Sequence, residues 1–245
     1  MTSGRDKLID NPLSPKWGIA TSGLDAAELK FLHARLKPVS FAPRQHLFFE
    51  NMPATDIYVI RQGRVRLYQA RPDGQEFSYG IFFNGTILNL AAFVLDRPCV
   101  LSGEALETVT AAAMSRADFR ACLDMSPRFQ HNVMQLLAIL ALDSIGKNVP
   151  MALDSADMRL GRTLLDLAKP ERGWDSHMQG DGGRLVARVS QEELGRLTGV
   201  SRNWVGRTLA AFERAGLITR TRGALSIPDP QKMRSFIEAE TAGGS

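Results

Sequence analysis

The spacing of apolar residues changes along the chain, and each change marks a new kind of element. Apolar residues recur at helical spacing over residues 24–36, with Asp25 near the start. Over residues 37–114, short apolar runs are instead separated by turns such as residues 71–74, and the β pattern resumes at residues 104–114. Many short strands at this spacing are typical of a β-roll, barrel or sandwich.

Helical spacing returns after the strands. Residues 115–123 predict a short helix, and residues 126–150 predict a longer helix that is apolar on nearly every side in its middle. A helix buried on all sides needs two neighbours. We expect these to be the β-rich domain and the same helix of a second subunit, with Pro150 ending the helix as a hinge. The apolar residues assigned to this dimerisation helix are Val133, Leu136, Ile139, Leu140 and Leu142.

Two short helices joined by a glycine turn are predicted within residues 189–218. Ser190 is followed three residues later by Glu193, which is the spacing of a capping box at a helix start. Gly199 can adopt the left-handed conformation that ends a helix, and Ser201 can cap the next one. This arrangement is typical of a helix-turn-helix, whose second helix lies in the major groove of DNA.

The second of these helices has two contrasting faces. Val205, Leu209 and Phe212 recur at helical spacing and are expected to face inward. The residues left outward in its first turns are polar or charged: Arg202, Asn203 and Arg207. Around this pair, the pattern predicts a helix at residues 157–168, a strand at residues 185–189, a β-hairpin wing turning at Gly223 and a closing helix at residues 229–240.

Charge is concentrated in the same region. From residue 184 to residue 222 the chain has eight arginines, no lysine and three acids, a balance of +5. The whole chain carries +4, so the remaining residues sum to −1. Phosphate contacts from basic residues supply much of the affinity of DNA-binding proteins. The charge distribution therefore favours a nucleic-acid interface over an ordinary solvated helical hairpin.

Composition excludes several classes of protein. The 245 residues suit one large or two ordinary domains, and 44% of them are hydrophobic, which is enough for a packed core. The first residues show no signal-peptide core and no uninterrupted apolar run reaches about 18 residues, so we expect a cytoplasmic protein without a membrane segment. Cys99 and Cys122 cannot form a four-thiolate cluster, and we expect no metal or cofactor. We find no phosphate loop, zinc spacing or nucleophile elbow, which argues against an enzyme.

The order of elements and several motifs resemble the Crp–Fnr family, named for the cyclic-AMP receptor protein and the fumarate-nitrate regulator. The most specific stretch is SRNWVGRTLAAFERAGLI at residues 201–218, and looser marks are IRQGRVRLY at residues 60–68 and RPDGQE at residues 71–76. The resemblance implies an α+β fold with an N-terminal β-roll (a jelly roll like that of cyclic-nucleotide-binding domains), a long dimerisation helix and a C-terminal winged helix-turn-helix. It also implies a homodimeric transcription factor that reads palindromic double-stranded DNA and contacts RNA polymerase.

The corresponding domains are an N-terminal arm at residues 1–23, a β-roll sensor at residues 24–125, the dimerisation helix and hinge at residues 126–150, and a DNA-binding domain at residues 151–245. The resemblance assigns Arg202 and Arg207 to base-reading positions, and arginine suits guanine. Asn203 lies where well-known members have glutamate, and asparagine prefers adenine. Residues expected at the DNA backbone are Ser190, Ser201, Trp204, Arg220 and Arg222. Trp204 could instead contact a thymine methyl group or cover the neighbouring helix.

The signal-binding region departs from the nucleotide-binding members of the family. Where those members have Gly-Glu-Leu and Arg-Ser to hold ribose and phosphate, this chain has Asn89-Leu90-Ala91 and Cys99-Val100. A buried phosphate without a cationic partner is costly, so we expect a signal other than cyclic AMP. Two interpretations remain: a filled core without a ligand, or a pocket for an apolar or aromatic small molecule. The pocket would be formed by Phe82, Leu88, Asn89, Leu90, Phe93, Cys99 and Val100.

Haem and redox sensing are two further ways in which such a protein could detect its signal. His131 is the most suitable histidine for a haem ligand, and Cys99 is a candidate oxidation-sensitive thiol. An alternative function is that of a regulatory protein that senses a ligand and acts mainly through protein contacts. That function would leave the arginines of the second helix without a role.

Overall fold

The structure is a computed structural model that describes residues 15–168, 184–186, 189–221 and 224–243. The chain divides into two compact units, one of residues 1–75 and 79–143 and one of residues 76–78 and 144–245. Part of the predicted arm is helical, since α1 covers Pro15–Thr21, and residues 1–14 lie outside the described residues. Helix α2 covers Ala26–His33 and begins with a capping box. In that box the Glu28 N–H donates to Asp25 at 2.8 Å and the Asp25 N–H donates to Glu28 at 2.7 Å.

The first unit contains two four-stranded antiparallel sheets, which confirms the predicted β-roll. One sheet has the strand order β1-β8-β3-β6 and the other has the order β2-β7-β4-β5. The predicted β segment at residues 104–114 belongs to two strands, β7 and β8, separated by a short turn. The strands are β1 (Lys37–Phe41), β2 (His46–Phe48), β3 (Asp56–Gln62), β4 (Val65–Ala70), β5 (Glu76–Phe82), β6 (Ile87–Leu88), β7 (Ser102–Ala105) and β8 (Val109–Ser115).

Two apolar clusters stabilise this unit, one on each face of the sheet that contains β3. Between the sheets, Ile60 packs with Val65 of β4. On the other face, β3 and β8 pack against helices α3 (Leu90–Val94) and α4 (Arg116–Met125). The ring of Phe119 lies edge-on to that of Phe93, at 5.4 Å between centroids. This second cluster anchors α3, which lies in the region expected to bind the signal.

Helix α5 covers Pro127–Leu153, and so the predicted long helix is confirmed while its predicted end is wrong. The helix continues through Pro150 to Leu153, so the lost hydrogen bond and the steric cost of an interior proline do not end it here. By length and composition alone α5 is long and apolar enough to cross a membrane, although polar residues such as Gln135 and Asp143 interrupt its apolar sequence. One such helix does not by itself indicate a membrane protein, because the core helices of other proteins have the same composition. In this chain Val133 and Leu136 of α5 pack into the core of the first unit.

The second unit contains the predicted helix-turn-helix and its flanking elements. Its strands form a three-stranded antiparallel sheet with the order β10-β11-β9, which confirms the wing hairpin, whereas its turn at Gly223 lies outside the described residues. Helices α6 and α9 pack closely at Gly161, where an added Cβ would lie 3.2 Å from Ile237. The elements are α6 (Ala156–Leu167), β9 (Arg184–Val186), α7 (Gln191–Thr198), α8 (Arg202–Arg214), β10 (Thr219–Thr221), β11 (Ala224–Ile227) and α9 (Pro230–Gly243).

Candidate nucleic-acid interface

The turn between α7 and α8 has the predicted geometry. Ser190 caps α7 by accepting a hydrogen bond from the Glu193 N–H at 3.1 Å, which is the serine half of the predicted capping box. Gly199 ends the helix with φ +72°, in the left-handed region that glycine tolerates. Gly195 was not singled out by the sequence, yet a Cβ there would lie 2.6 Å from the Val200 carbonyl oxygen. The chain can turn this tightly only with glycine at that position.

Helix α8 is amphipathic in the predicted sense. Ser201 caps it, since its hydroxyl oxygen accepts from the Trp204 N–H at 3.2 Å. Val205, Leu209 and Phe212 are buried on its inner side. The Phe212 ring lies edge-on to that of Phe236 in α9, at 5.4 Å. The inner side therefore holds the helix firmly and determines which residues face outward.

Arg202, Asn203 and Arg207 are exposed on the outer side of α8, as predicted. Within the described part of the chain, neither arginine forms an ion pair. No described residue engages either guanidinium group, so both are available to an external partner. Their spacing of five residues places them about 7.5 Å apart along the helix axis, roughly the rise of two base pairs.

The residues expected at the DNA backbone differ in their surroundings. Ser190 and Ser201 are exposed at helix starts, where each hydroxyl keeps a hydrogen to donate to a phosphate. Trp204 is half-buried. Arg220 is engaged with Glu213, to which its Nε donates at 2.8 Å, and this hydrogen bond holds the pKa of Glu213 below its usual value. Arg222 lies outside the residues whose side chains are described.

Lys232 contributes to the interface region although no sequence pattern indicated it. Its ammonium group, at the start of α9, donates to the Ala215 carbonyl oxygen at 2.8 Å. That carbonyl is one of the unsatisfied acceptors at the C-terminal end of α8, where a cation is favourable. Lys232 thus holds the end of α8 near the turn into the wing. The contact joins residues 17 positions apart, which helical periodicity does not report.

The region expected to bind a signal is built around α3. Asn89 precedes this helix with φ +66°, and its side-chain N–H donates to the Asp56 carbonyl oxygen at 3.4 Å. Arg116 holds α3 in place through hydrogen bonds from its guanidinium group. It donates to the Phe93 carbonyl oxygen and, at 2.8 Å, to the Ala54 carbonyl oxygen. The same group lies over the Phe93 ring, with 4.5 Å between its Cζ and the ring centroid. Arg116 was missed because a lone arginine at a helix start looks like a surface residue.

The structure does not place all seven predicted pocket residues around one space. Leu90, Phe93 and Cys99 are buried in the cluster between the sheet and the helices. Leu88 belongs instead to the cluster between the two sheets, with Phe82 packed against it. Val100 is 66% exposed. The first three residues therefore fill core volume, and a ligand at this position requires their side chains to move.

The cysteines and histidines were candidates for redox or haem sensing. Burial raises the pKa of Cys99, partly offset by a hydrogen bond from Asn89, and burial raises the pKa of Cys122 to about 11. Both shifts oppose the reactive thiolate. His46 is hydrogen-bonded to Tyr68 at 2.9 Å and His131 is exposed on α5, while His177 lies outside the described residues. The described residues contain no group of three or more His, Cys, Asp or Glu residues that could hold a metal ion.

Helix α5 divides its apolar residues between two sides. Val133 and Leu136 are buried in the core of the first unit, so these two assigned residues pack on their own subunit and not on a second one. Ile139 and Leu140 are half-buried, and Leu142 is 69% exposed. Among the α5 residues whose side chains are described, three exposed apolar residues lie on the side of the helix opposite Leu136. We call them the exposed stripe of α5: Met134, Leu142 and Ile145.

Comparison with protein families supports the two-part organisation. Residues 38–126 match the cyclic nucleotide-binding domain, and residues 158–236 match the Crp-like helix-turn-helix domain. The first match covers both β-sheets together with α3 and α4. The second covers α6, the helix-turn-helix, the wing and the first half of α9.

Curated relatives and solved structures are similar to the chain over most of its length. A CRP-like cAMP-activated global transcriptional regulator of Mycobacterium tuberculosis is 25% identical over 86% of this chain and 92% of its own. The nitrogen fixation regulation protein FixK of Bradyrhizobium diazoefficiens is 25% identical over 89% of both chains.

The structure of the c-di-GMP-responsive regulator CLP of Xanthomonas campestris has a TM-score of 0.69 and 23% identity, and it covers 84% of this chain and 100% of that one. A CRP/FNR family regulator from Thermus thermophilus has a TM-score of 0.67 and 17% identity, covering 83% and 100%. These structures share the fold. With both family models matched in order, and with the exposed arginines on α8, the chain belongs to the Crp–Fnr family of DNA-binding transcriptional regulators.

Proposed function

We propose that the protein is a dimeric, sequence-specific regulator that inserts α8 into the major groove of DNA. The observation that carries this proposal is the exposure of Arg202, Asn203 and Arg207 on a helix whose other side is buried. Arginine bonds guanine O6 and N7 with two N–H groups, and asparagine bonds adenine N6 and N7 in the same way. We expect each half-site to contain guanines read by Arg202 and Arg207 and an adenine read by Asn203.

Dimerisation is proposed through the exposed stripe of α5. Met134, Leu142 and Ile145 place a row of apolar surface on a helix that already packs on its own unit through Leu136. Burying such a row against the same helix of a second copy removes it from water. Two subunits related by a two-fold axis would present two α8 helices about 34 Å apart, so the operator should be palindromic.

The signal is proposed to be something other than cyclic AMP. Cys99 and Val100 occupy the positions where the nucleotide-binding members have a phosphate-binding arginine and serine, and one is a buried thiol while the other is an exposed aliphatic residue. Neither can neutralise a phosphate. An apolar or aromatic effector remains our proposal, and the packing of Leu90 and Phe93 means that it would have to displace core side chains.

A ligand series followed by thermal shift tests the proposed effector. An apolar or aromatic compound that binds the native protein raises Tm, and above Kd the rise grows with the logarithm of its concentration. Cyclic AMP should leave Tm unchanged at concentrations that saturate cyclic-AMP-dependent regulators. A cyclic-AMP-dependent rise in Tm would contradict the proposal, and so would a series of apolar ligands that changes neither Tm nor DNA affinity.

Selection from a random pool of duplexes tests the DNA-binding function itself. Full-length protein should enrich a palindrome whose half-sites lie about 10–11 base pairs apart, centre to centre. We further propose that the protein acts in the cytoplasm together with RNA polymerase. Enrichment of no sequence, with or without cell extract as a source of effector, would contradict the proposal.

A further inference from the structure

Gln191, the first residue of α7, lies against Gly206, the glycine of helix α8. A Cβ built on Gly206 would lie 3.2 Å from Oε1 of Gln191, 3.8 Å from its Cδ and 4.0 Å from its Nε2. The carboxamide of Gln191 therefore lies over Gly206, next to the α8 backbone. Any side chain at residue 206 would compete with it for this space.

Gly206 is half-buried and lies on the flank of α8 that faces α7, next to the outward side that carries the residues proposed to read bases. It follows Asn203 by three residues and precedes Arg207 by one, and residues three apart share a helix face. Asn203 and Arg207 are both exposed. The carboxamide of Gln191 is thus held at the edge of the surface that carries Asn203, although it comes from a different helix.

The two residues that follow Gln191 on α7 form ion pairs with Arg196 of the same helix. The Glu192 carboxylate accepts from Arg196 at 2.8 Å, and the buried Glu193 carboxylate accepts from Arg196 at 3.5 Å. Of the first three residues of α7, Gln191 is the one whose side chain meets α8 at Gly206. Because a carboxamide is neutral, a DNA phosphate does not repel it as it repels a carboxylate.

We propose that Gln191 is an additional specificity-determining residue, which reads a base edge next to those read by Asn203 and Arg207. This inference rests on the proposed DNA-binding function. A carboxamide has two N–H donors and a carbonyl acceptor, the complement of the adenine N6 and N7 edge in the major groove. Gly206 keeps the space in which that group is held, so the two residues act as a pair.

The test compares the base preference of full-length wild type with that of Gln191→Ala, by selection from random duplexes and then by competition binding. The variant should lose about five- to tenfold of the preference at one base pair in each half-site and keep it at all others. Gln231→Ala is the matched control, since it removes the same group from the exposed start of α9. It should bind as wild type does.

Gly206→Ala gives a second, independent test. Its methyl group would meet the carboxamide at 3.2 Å and displace it, while alanine is a better helix former than glycine, so α8 should stay folded. This variant should lose preference at the same base pair as Gln191→Ala. Adding Gly206→Ala to Gln191→Ala should change the preference no further, because the group that the methyl displaces is already absent.

Two results would overturn the inference. One is an unchanged base preference in Gln191→Ala, and the other is an equal loss of affinity for every sequence, which would make Gln191 a backbone contact. If Arg207→Ala alters the preference and Gln191→Ala does not, only this inference fails. If the wild-type protein prefers no sequence, the proposed DNA-binding function fails with it.

Discussion

Gly195 and Gly199 both shape the turn between α7 and α8, for different physical reasons. At Gly199 the constraint is the backbone, whose φ of +72° is unfavourable for other residues, while an added Cβ would meet nothing within 4 Å. At Gly195 the constraint is space, since a Cβ would lie 2.6 Å from the Val200 carbonyl oxygen. The sequence pattern identified Gly199, because left-handed glycines follow helices. It could not identify Gly195, because the close approach depends on how the chain returns after the turn.

Gly195→Ala is expected to lower the free energy of unfolding by roughly 1–3 kcal/mol, since backbone atoms must move to admit the methyl group. Gly199→Ala should cost about 1–2 kcal/mol from the left-handed conformation alone. Urea denaturation followed by circular dichroism measures both values. Gly18→Ala, in α1 with nothing within 4 Å of the added carbon, is the control and should not destabilise the protein. A Gly195→Ala variant as stable as wild type would show that the turn is looser than described.

We expect Cys122 to make stability depend on pH in the alkaline range. Burial raises the pKa of its thiol to about 11 from the ordinary value of 9.0, so between these values the unfolded chain releases a proton that the folded protein keeps. The free energy of unfolding should therefore fall as pH rises from about 9 to about 11. Denaturation of wild type and Cys122→Ala across this range measures the effect. The variant should lose this part of the pH dependence, and identical slopes for the two proteins would contradict the assignment.

At the scale of elements, local signals in the sequence were enough to predict most helices and strands. Serine caps, the left-handed Gly199 and helical spacing predicted α7 and α8 closely, because each depends on residues within one or two turns. The end of α5 was wrongly predicted at Pro150, since a proline usually ends or kinks a helix by local sterics, yet this helix continues to Leu153. The residues predicted to form one pocket do not all surround the same space, and the reason lies in how a strand and the next helix divide their side chains. Leu88 and Leu90 are two residues apart in sequence, yet they pack into different clusters.

The end of α8 offers an element-scale prediction. Lys232→Met keeps the length of the side chain but removes the donor to the Ala215 carbonyl oxygen. The loss of one charge-assisted hydrogen bond at a helix C-terminus should cost about 1 kcal/mol and lower Tm by a few degrees. Lys232→Arg should recover most of the loss, since it restores a cation. Equal melting temperatures for wild type and Lys232→Met would show that the contact contributes nothing.

At the scale of the whole molecule, the proposed function requires two copies acting together. The exposed stripe of α5 is the surface proposed to join them, and Leu142 and Ile145 are its most C-terminal members. Glutamate at both positions would place uncompensated charge in an apolar interface, which typically costs about 3–5 kcal/mol for each buried charge. Sedimentation velocity should show a dimer for wild type and a monomer for the double variant. Met52→Glu, at another exposed apolar residue, is the control and should remain a dimer.

The charge distribution also belongs to this scale. With a balance of +5 between residues 184 and 222 and −1 elsewhere, DNA affinity should fall steeply with salt. Arg202→Ala and Arg207→Ala should each change base preference as well as affinity. Replacing the neutral residue Asn203 with alanine should change the base preference. It should leave unchanged the slope of the logarithm of DNA affinity against the logarithm of salt concentration. These differences separate base reading from phosphate binding without any structure of the complex.

The most direct measurement is competition binding of Arg207→Ala to the selected operator and to single-base variants of it. If Arg207 reads guanine, the variant loses about 1–3 kcal/mol of discrimination at one base pair in each half-site and keeps the rest. Arg214→Ala, which removes an exposed arginine from the far end of the same helix, should show no such loss. An Arg207→Ala variant that binds every sequence more weakly by the same factor would contradict the account.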